Sequence, residues 1–231
     1  MVERRVSPQA DLWFVIAAMN EASVIGPVVA NAVPHGQVVV VDDGSHDDTA
    51  EAANAAGAHV LRHLLNRGQG AALQTGLAYA LKSGARHIVT FDADGQHRVE
   101  DALAMVERAK ARGLDAVLGS RFLGSTVGMS WRKGLVLKAA VIFTQLTTGL
   151  ALTDTHNGLR VFSRKGAQAI DIRQDRMAHA SEILSQIAHK KLSFEEAPVT
   201  IVYTDYSIAK GQRLSNAVRI VEDLVMGRLS R

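Results

Sequence analysis

Two aspartates one residue apart, Asp92 and Asp94, close the apolar run His87-Ile88-Val89-Thr90-Phe91. Side chains at i and i+2 of a strand leave from one face, so the pair places two carboxylates together where a strand ends. They repel unless something positive lies between them, and a hard divalent cation such as Mg²⁺ or Mn²⁺ takes oxygen ligands of this kind. Small Ala93 separates the two, and Gly95 and Gln96 follow. Taken alone, such a pair also fits a solvated acidic turn.

Other groups able to do chemistry recur at similar places. Asn20-Glu21 follows one apolar run and Asp42-Asp43-Gly44-Ser45 another. Asp42 is assigned to a ligand, as an acid that accepts hydrogen bonds from a base or ribose at the second strand of a nucleotide-binding sheet. Asp47, Asp48 and Thr49 read only as a helix cap. Arg121 and Arg160 stand at strand ends in Gly119-Ser120-Arg121-Phe122 and Asp154-Thr155-His156-Asn157-Gly158-Leu159-Arg160. A guanidinium fork there suits phosphate oxygens. The glycines of Asn66-Arg67-Gly68-Gln69-Gly70-Ala71 fit neither a dinucleotide fingerprint nor a Walker loop, because Leu73 holds the third glycine position and no Gly-Lys-Ser/Thr is present. They are expected to let a helix start pack close to the sheet and a nucleotide. His156, and the pair His179 and Glu182 three apart on a helix, are possible bases, although a histidine bonded to backbone and an acid that caps or pairs explain them better.

The elements that must position these groups alternate. Strands are expected over Leu12–Ala18, Gln37–Asp42, His59–Arg62, His87–Asp92 and Asp115–Leu118, and helices over 21–32, 47–56, 69–82 and 99–112. Alternation with Val-rich runs predicts a mostly parallel α/β sheet with helices on both faces, its ligands beyond the carboxyl ends of the strands. The second half is less regular, with strands over 158–163 and 194–203, a helix over 178–190, an apolar helical stretch Lys133–Leu150 and a closing amphipathic helix Arg213–Arg228.

At 231 residues with 47% apolar content and no cysteine, the chain reads as one globular domain without disulfides or a thiol nucleophile. About 12–118 would form the nucleotide half and about 119–231 the acceptor half. No run is long enough to span a bilayer, and the opening residues lack the apolar core of a signal peptide, so a cytoplasmic place is expected. Formal charge is +3 with a pI near 9.3. Only 5% of residues are aromatic, which with no recognisable module argues against a nucleic-acid partner.

Taken in order, Asn20-Glu21, Val-Asp-Asp-Gly-Ser at 41–45, Asn-x-Gly-x-Gly-Ala at 66–71, Asp-Ala-Asp-Gly-Gln-His at 92–97, Gly-Ser-Arg-Phe at 119–122 and Asp-x-x-x-Gly-Leu-Arg at 154–160 resemble family 2 glycosyltransferases. Within them the likeness is to the dolichyl-phosphate mannosyltransferase-like branch, which charges polyprenyl phosphates. The resemblance runs from about Leu12 to Ile220 and implies a GT-A type nucleotide-binding fold. It implies an inverting, metal-dependent transferase moving a sugar from a nucleotide diphosphate sugar to a polyprenyl phosphate. On this likeness Asn20, Glu21, Val40 and Asp42 would hold base and ribose, with Ala71 beside them. Asp92, Asp94 and Gln96 would carry Mg²⁺ or Mn²⁺ and the diphosphate, with Ala93 also at the nucleotide sugar and Asp94 acting with Arg121 and Arg160 in catalysis.

Where the family has Arg-x-x-Gly-x-Ser-Lys, this chain has Ile208-Ala209-Lys210-Gly211-Gln212-Arg213, so Lys210 or Arg213 would take over a phosphate contact. A lipid acceptor calls for a membrane surface, met through Trp131-Arg132-Lys133 and Leu135–Leu150 lying in the interface, or for a membrane-anchoring partner subunit. Leu135–Leu150 reads equally as a buried core or dimer helix. Two other readings stand beside this one: a transferase acting on a sugar or other hydroxyl in cell-envelope polysaccharide synthesis, and a non-catalytic nucleotide-sugar-binding module.

Overall fold

The computed structural model describes residues 11–129, 149–176 and 178–203, together with 134, 137, 138, 141, 142, 145 and 206. Trp131, Arg132, Lys133, Lys210, Arg213–Arg228 and most of Leu135–Leu150 lie outside these residues.

The strands are β1 (Leu12–Ala18), β2 (Gln37–Asp42), β3 (His59–Arg62), β4 (His87–Asp92), β5 (Ala116–Val127), β6 (Arg160–Ser163) and β7 (Phe194–Val202). The helices are α1 (Ile25–Ala32), α2 (Thr49–Ala55), α3 (Gln69–Lys82), α4 (Val99–Arg112), α5 (Arg164–Ala169) and α6 (His179–His189). One seven-stranded sheet runs in the order β3-β2-β1-β4-β6-β5-β7. β6 is antiparallel to both of its neighbours, and the other pairs are parallel.

Both faces of the sheet are covered, which is why its central strands are continuous apolar runs. Phe14, Ile16, Val38, Val40, Val89 and Phe91 face α1 and α4. Trp13, Val15, Val39, Val41 and Ile88 face α3 and α6. Successive residues of one run thus supply two cores. Gly76 lets α3 lie directly on the sheet, since a Cβ there would come within 2.3 Å of Val15 Cγ1.

Three features depart from the sequence reading. α1 begins at Ile25 rather than at Glu21, because Asn20 takes a left-handed φ of 53° and Asn20, Glu21 and Ala22 give their backbone N–H groups to side chains of the next loop. β5 continues past Leu118 to Val127 along β7, with a register shift between Ser120 and Ser125. Its Gly124 resembles a strand terminator in sequence, but it admits the β7 backbone, which a Cβ would meet at 2.2 Å from Val199 O. The short helix α5 is the third.

The antiparallel β6 matters most for position. Its first residue, Arg160, pairs with Thr90 near the end of β4 and with Leu118 of β5. The segment leading into β6 therefore arrives at the carboxyl edge of the parallel strands, beside Asp92.

Candidate active site

Asp92 ends β4, half-exposed, with its carboxylate held on several sides. His97 Nδ1 accepts the Asp92 backbone N–H at 3.2 Å, and Nε2 of the same ring lies 3.3 Å from Asp92 Oδ2. Accepting at Nδ1 leaves the proton of the neutral ring on Nε2, facing the carboxylate. Burial pushes the His97 imidazole below its ordinary range, which keeps it neutral, although the Asp92 charge acts the other way. Gln69 Nε2 donates to Asp92 Oδ1 at 3.4 Å. Gly158 closes the remaining side, where a Cβ would lie 2.5 Å from each carboxylate oxygen. Thr90 Oγ1 fixes that glycine by donating to its carbonyl at 2.7 Å.

Asp94 is bound by Gln96, which donates through its backbone N–H at 3.1 Å and its Nε2 at 2.7 Å. Burial, then the charge of Asp92, push the Asp94 carboxyl up from 3.8 to about 6, and Glu21 adds a smaller push in the same direction. The paired acids are thus under electrostatic stress that a hard cation relieves, and their all-oxygen donor set suits Mg²⁺ or Mn²⁺. Among the described residues no group of three or more His, Cys, Asp or Glu side chains could hold a metal. A cation held at the pair would therefore draw the rest of its shell from ligand oxygens and water.

The arginines are placed differently from one another. Arg121 is paired with Asp154: Nε donates to Asp154 Oδ2 at 2.6 Å, its backbone N–H donates to the same oxygen at 3.1 Å, and Nη1 donates to Tyr203 Oη at 2.9 Å. Burial works against this charge, but Asp154 and Tyr203 outweigh it and hold the guanidinium above its ordinary range. Arg160 is buried, and its Nη2 donates to Ala180 O at 3.4 Å. Burial pulls Arg160 down to about 10, opposed by the charges of Asp92 and Asp154. It is a desolvated cation facing the acid edge without an ion pair among the described residues.

Glu196, on β7, was not singled out in the sequence. It accepts the backbone N–H of Thr153 at 2.9 Å, Thr153 Oγ1 at 3.0 Å and the backbone N–H of Asp154 at 3.1 Å. It fixes the loop that carries Asp154. Two adjacent acids, Glu195 and Glu196, in an otherwise apolar strand were the only available sign.

On the other side of the sheet, the loops after β1 and β2 are stitched together. Asn20 N–H donates to Ser45 Oγ and His46 N–H donates to Asn20 Oδ1, both at 2.9 Å, and Glu21 N–H donates to Thr49 Oγ1 at 2.8 Å. Tyr206 Oη donates to Glu21 Oε2 at 2.6 Å. Asp42 is fully buried, accepting from Ser45 N–H at 3.0 Å with Arg62 Nε 3.1 Å from its other oxygen. Val40 is a core residue whose backbone pairs on both sides, with Ile16 and with Val60. The structure does not bring the Val40 side chain to the site, because the ladder and the core use all of it. Ala71 and Ala93 are buried beside the site.

The start of α3 packs on protein rather than on open space. Gly70 N–H and Ala71 N–H donate to Asp175 O at 2.8 and 3.3 Å, and a Cβ on Gly70 would lie 2.0 Å from Gln174 O. The glycines serve the approach of this 174–176 backbone, and the first helical N–H groups are already used. His179 and Glu182 also have structural tasks. His179 Nδ1 bonds Arg176 O at 2.7 Å, and burial pulls the ring down to about 4. Glu182 Oε2 accepts the backbone N–H groups of Arg173 and Gln174 at 3.0 and 2.8 Å. His156 is also pushed below its ordinary range by burial.

The model of the family described as glycosyl transferase family 2 matches residues 13–170. An uncharacterized protein of Methanocaldococcus jannaschii is 36% identical over 225 residues, covering 95% of this chain and 93% of that protein. The UDP-N-acetylglucosamine–dolichyl-phosphate N-acetylglucosaminyltransferase of Methanococcus voltae is 30% identical, covering 95% of this chain and 97% of its own. The polyprenol monophosphomannose synthase of Mycolicibacterium smegmatis is 28% identical, covering 98% and 91%. In fold, the chain is similar to glucosyl-3-phosphoglycerate synthase of Mycobacterium tuberculosis, solved with Mn²⁺, uridine diphosphate and phosphoglyceric acid. That likeness has a TM-score of 0.71 at 18% identity, over 95% of this chain and 77% of the other. The sheet is of the GT-A type, and the chain belongs to glycosyl transferase family 2 as a glycosyltransferase.

Proposed function

We propose that this glycosyltransferase moves a sugar from a nucleotide diphosphate sugar to the phosphate of a polyprenyl lipid, with inversion and with a divalent cation at Asp92 and Asp94. The observation that carries the reading is the acid pair at the carboxyl edge of β4, with Asp94 pushed up to about 6 by burial and by Asp92. The lipid acceptor is supported by the similar proteins, whose names specify dolichyl-phosphate and polyprenol substrates.

The bond from the sugar C1 to the diphosphate oxygen breaks and its electron pair leaves with the diphosphate. A new bond forms from C1 to an oxygen of the acceptor phosphate on the opposite face. When bound, the cation supplies Lewis-acid stabilisation of the leaving diphosphate. Asp92 and Asp94 would hold it, with Gln96 orienting Asp94, while His97, Gln69 and Gly158 fix the Asp92 carboxylate. Arg160 and Arg121 offer fixed positive charge to phosphate oxygens. A phosphate acceptor is ionised near neutral pH, so no base is required. This fits a site whose nearby histidines are neutral and poorly basic. The nucleotide half is residues 12–118, with Asn20 and Glu21 at the base and ribose. The acceptor half is 119–231. The enzyme works peripherally at a membrane, directly or through an anchoring subunit.

The test is transfer of labelled sugar from GDP, UDP and dTDP sugars into a short polyprenyl phosphate, with Mn²⁺ or Mg²⁺ and with chelator. Label is expected in the organic phase only with metal, as a product cleaved by mild acid. Label found only on a hydroxyl acceptor, in an acid-stable product, would replace the lipid reading. No turnover together with no metal-dependent nucleotide binding would favour a non-catalytic nucleotide-sugar-binding module.

Gly158→Ala should lower transfer about a hundredfold, the scale at which a displacement of about 1 Å impairs a positioned group. The added methyl must push the Asp92 carboxylate aside, since 2.5 Å is no contact distance for a real Cβ. Steady-state kinetics alongside a melting curve check this. The rate should fall far more than stability, because Gly158 is only part-buried.

A further inference from the structure

Two neighbouring leucines stand in water on a braced loop. Leu64 is 99% exposed and Leu65 77%. Single exposed leucines are common, but an adjacent pair held out by rigid structure marks an interaction site. The bracing is specific. Buried Asp43 accepts from His63 Nδ1 at 2.7 Å, from Arg67 N–H at 3.0 Å and from Gly68 N–H at 2.6 Å, so one carboxylate clamps both stems of the loop. His63 N–H donates to Asp42 O at 2.9 Å. Gly44 backs onto the loop's peptide, where a Cβ would come within 2.8 Å of Asn66 N.

The surroundings select the partner. Residues 62–82 contain no acid, and exposed Arg67 flanks the leucines on one side, while Arg62 on the other is ion-paired with Asp42 and Glu51. Arg67 makes no ion pair among the described residues. Met19, 36% exposed, touches Asn66 and extends the apolar tip. The loop leaves the carboxyl end of β3, where Arg62 pairs with Asp42, and so lies on the sheet edge that carries Asp92.

We propose that the Leu64–Leu65 loop docks the protein on an anionic lipid surface. The leucines enter the boundary between headgroups and acyl chains, and Arg67 lies at phosphate level. The dock turns the acid edge of the sheet toward the bilayer that holds the acceptor. This rests on the lipid-phosphate reading of the site. Two side chains and one charge give a reversible hold rather than an anchor.

The test compares the full chain with Leu64→Ser/Leu65→Ser and with Arg67→Gln in co-sedimentation with vesicles of phosphatidylglycerol and phosphatidylcholine, and of phosphatidylcholine alone. The wild type is expected on the anionic vesicles. The leucine double variant should partition at least about tenfold more weakly, given what burial of two leucines contributes. Arg67→Gln should weaken binding to the anionic vesicles alone. Melting temperature and transfer to a water-soluble short polyprenyl phosphate should stay unchanged in the double variant. Equal partitioning of wild type and double variant overturns the proposal. So does a lower melting temperature in the double variant, which would mean the chain itself covers the leucines, or a change of oligomeric state, which would mean a second copy does. If no variant transfers sugar to the short acceptor but the vesicle difference stands, the acceptor reading fails and the dock survives.

Discussion

Asp94→Asn is expected to lower sugar transfer about a thousandfold and, in the same protein, to raise the melting temperature of the metal-free fold. The first effect follows from losing one of two carboxylates that would hold a Lewis acid worth several kcal/mol to the departing diphosphate. The second follows from the sign of the Asp94 shift. Its carboxyl titrates near 3.8 when unperturbed and is pushed up to about 6 in the fold, by burial and then by Asp92. The folded chain thus binds this proton more tightly than the unfolded chain does. Stability falls as pH rises through the window from about 4 to about 6, and the full cost is present above it. Two pH units set a ceiling on the order of 3 kcal/mol, reduced by the partial exposure of the group.

The amide carries no charge, so the gain should appear near pH 8 and vanish near pH 4, where wild type is protonated as well. Gln96 can turn its own amide to keep a hydrogen bond to the oxygen or nitrogen of the substituted side chain. Saturating Mn²⁺ should reverse the order by stabilising wild type, by about 2.7 kcal/mol at a hundredfold excess over its dissociation constant. Melting curves at both pH values, with and without Mn²⁺, decide the matter. A variant less stable than wild type at pH 8 without metal, and still stabilised by Mn²⁺, would show that the pair is no cation site.

The frame of this site was legible because strand and chemistry share one signal. A buried parallel strand is an apolar run, and an acid at its end can only lie at the sheet edge. Leu12–Ala18, Gln37–Asp42 and His87–Asp92 declare themselves in this way, and the structure keeps those bounds. β6 was harder. A four-residue strand carries too little periodicity to show its direction, yet its reversal is what brings Arg160 to Asp92.

Contacts between distant side chains were not legible at all. Arg121 was read as a cation for phosphate, and nothing in its neighbourhood announces Asp154, 33 residues on, as its partner. His97 was visible as part of a motif, but its hold on Asp92 depends on a turn that brings the ring back onto the strand end. Asp42 and Asp43 are adjacent, and sequence alone favoured the first for a ligand. The structure ties Asp42 to Arg62 and Ser45 and makes Asp43 the clamp of the 63–68 loop. β2 ends at Asp42, so Asp42 still leaves the strand while Asp43 begins the loop, and each acid meets a different environment.

Asp154→Ala is expected to cost about 3–5 kcal/mol of stability, the range for breaking a buried ion pair from one side. The side chains of Arg121 and Asp154 are 8% and 1% exposed and 2.6 Å apart, so the arginine left behind is a desolvated charge whose remaining hydrogen-bond partner among the described residues is Tyr203 Oη. Asp154 also accepts the backbone N–H groups of Arg121 and His156, at 3.1 and 3.2 Å, and alanine removes those acceptors. Asp154→Asn should cost less, since its amide oxygen still serves one backbone donor. The double variant Arg121→Met/Asp154→Leu should recover much of the stability, because apolar replacements of similar volume pack where the pair was. It should not recover transfer. If Arg121 serves only the fold, a restored fold restores the rate. If its charge acts on a phosphate, the double variant melts near wild type and stays inactive. Denaturant unfolding of the three variants beside their transfer rates separates the two roles. Glu196→Gln adds a control, since it loosens the Thr153–Asp154 loop while leaving the ion pair chemically intact.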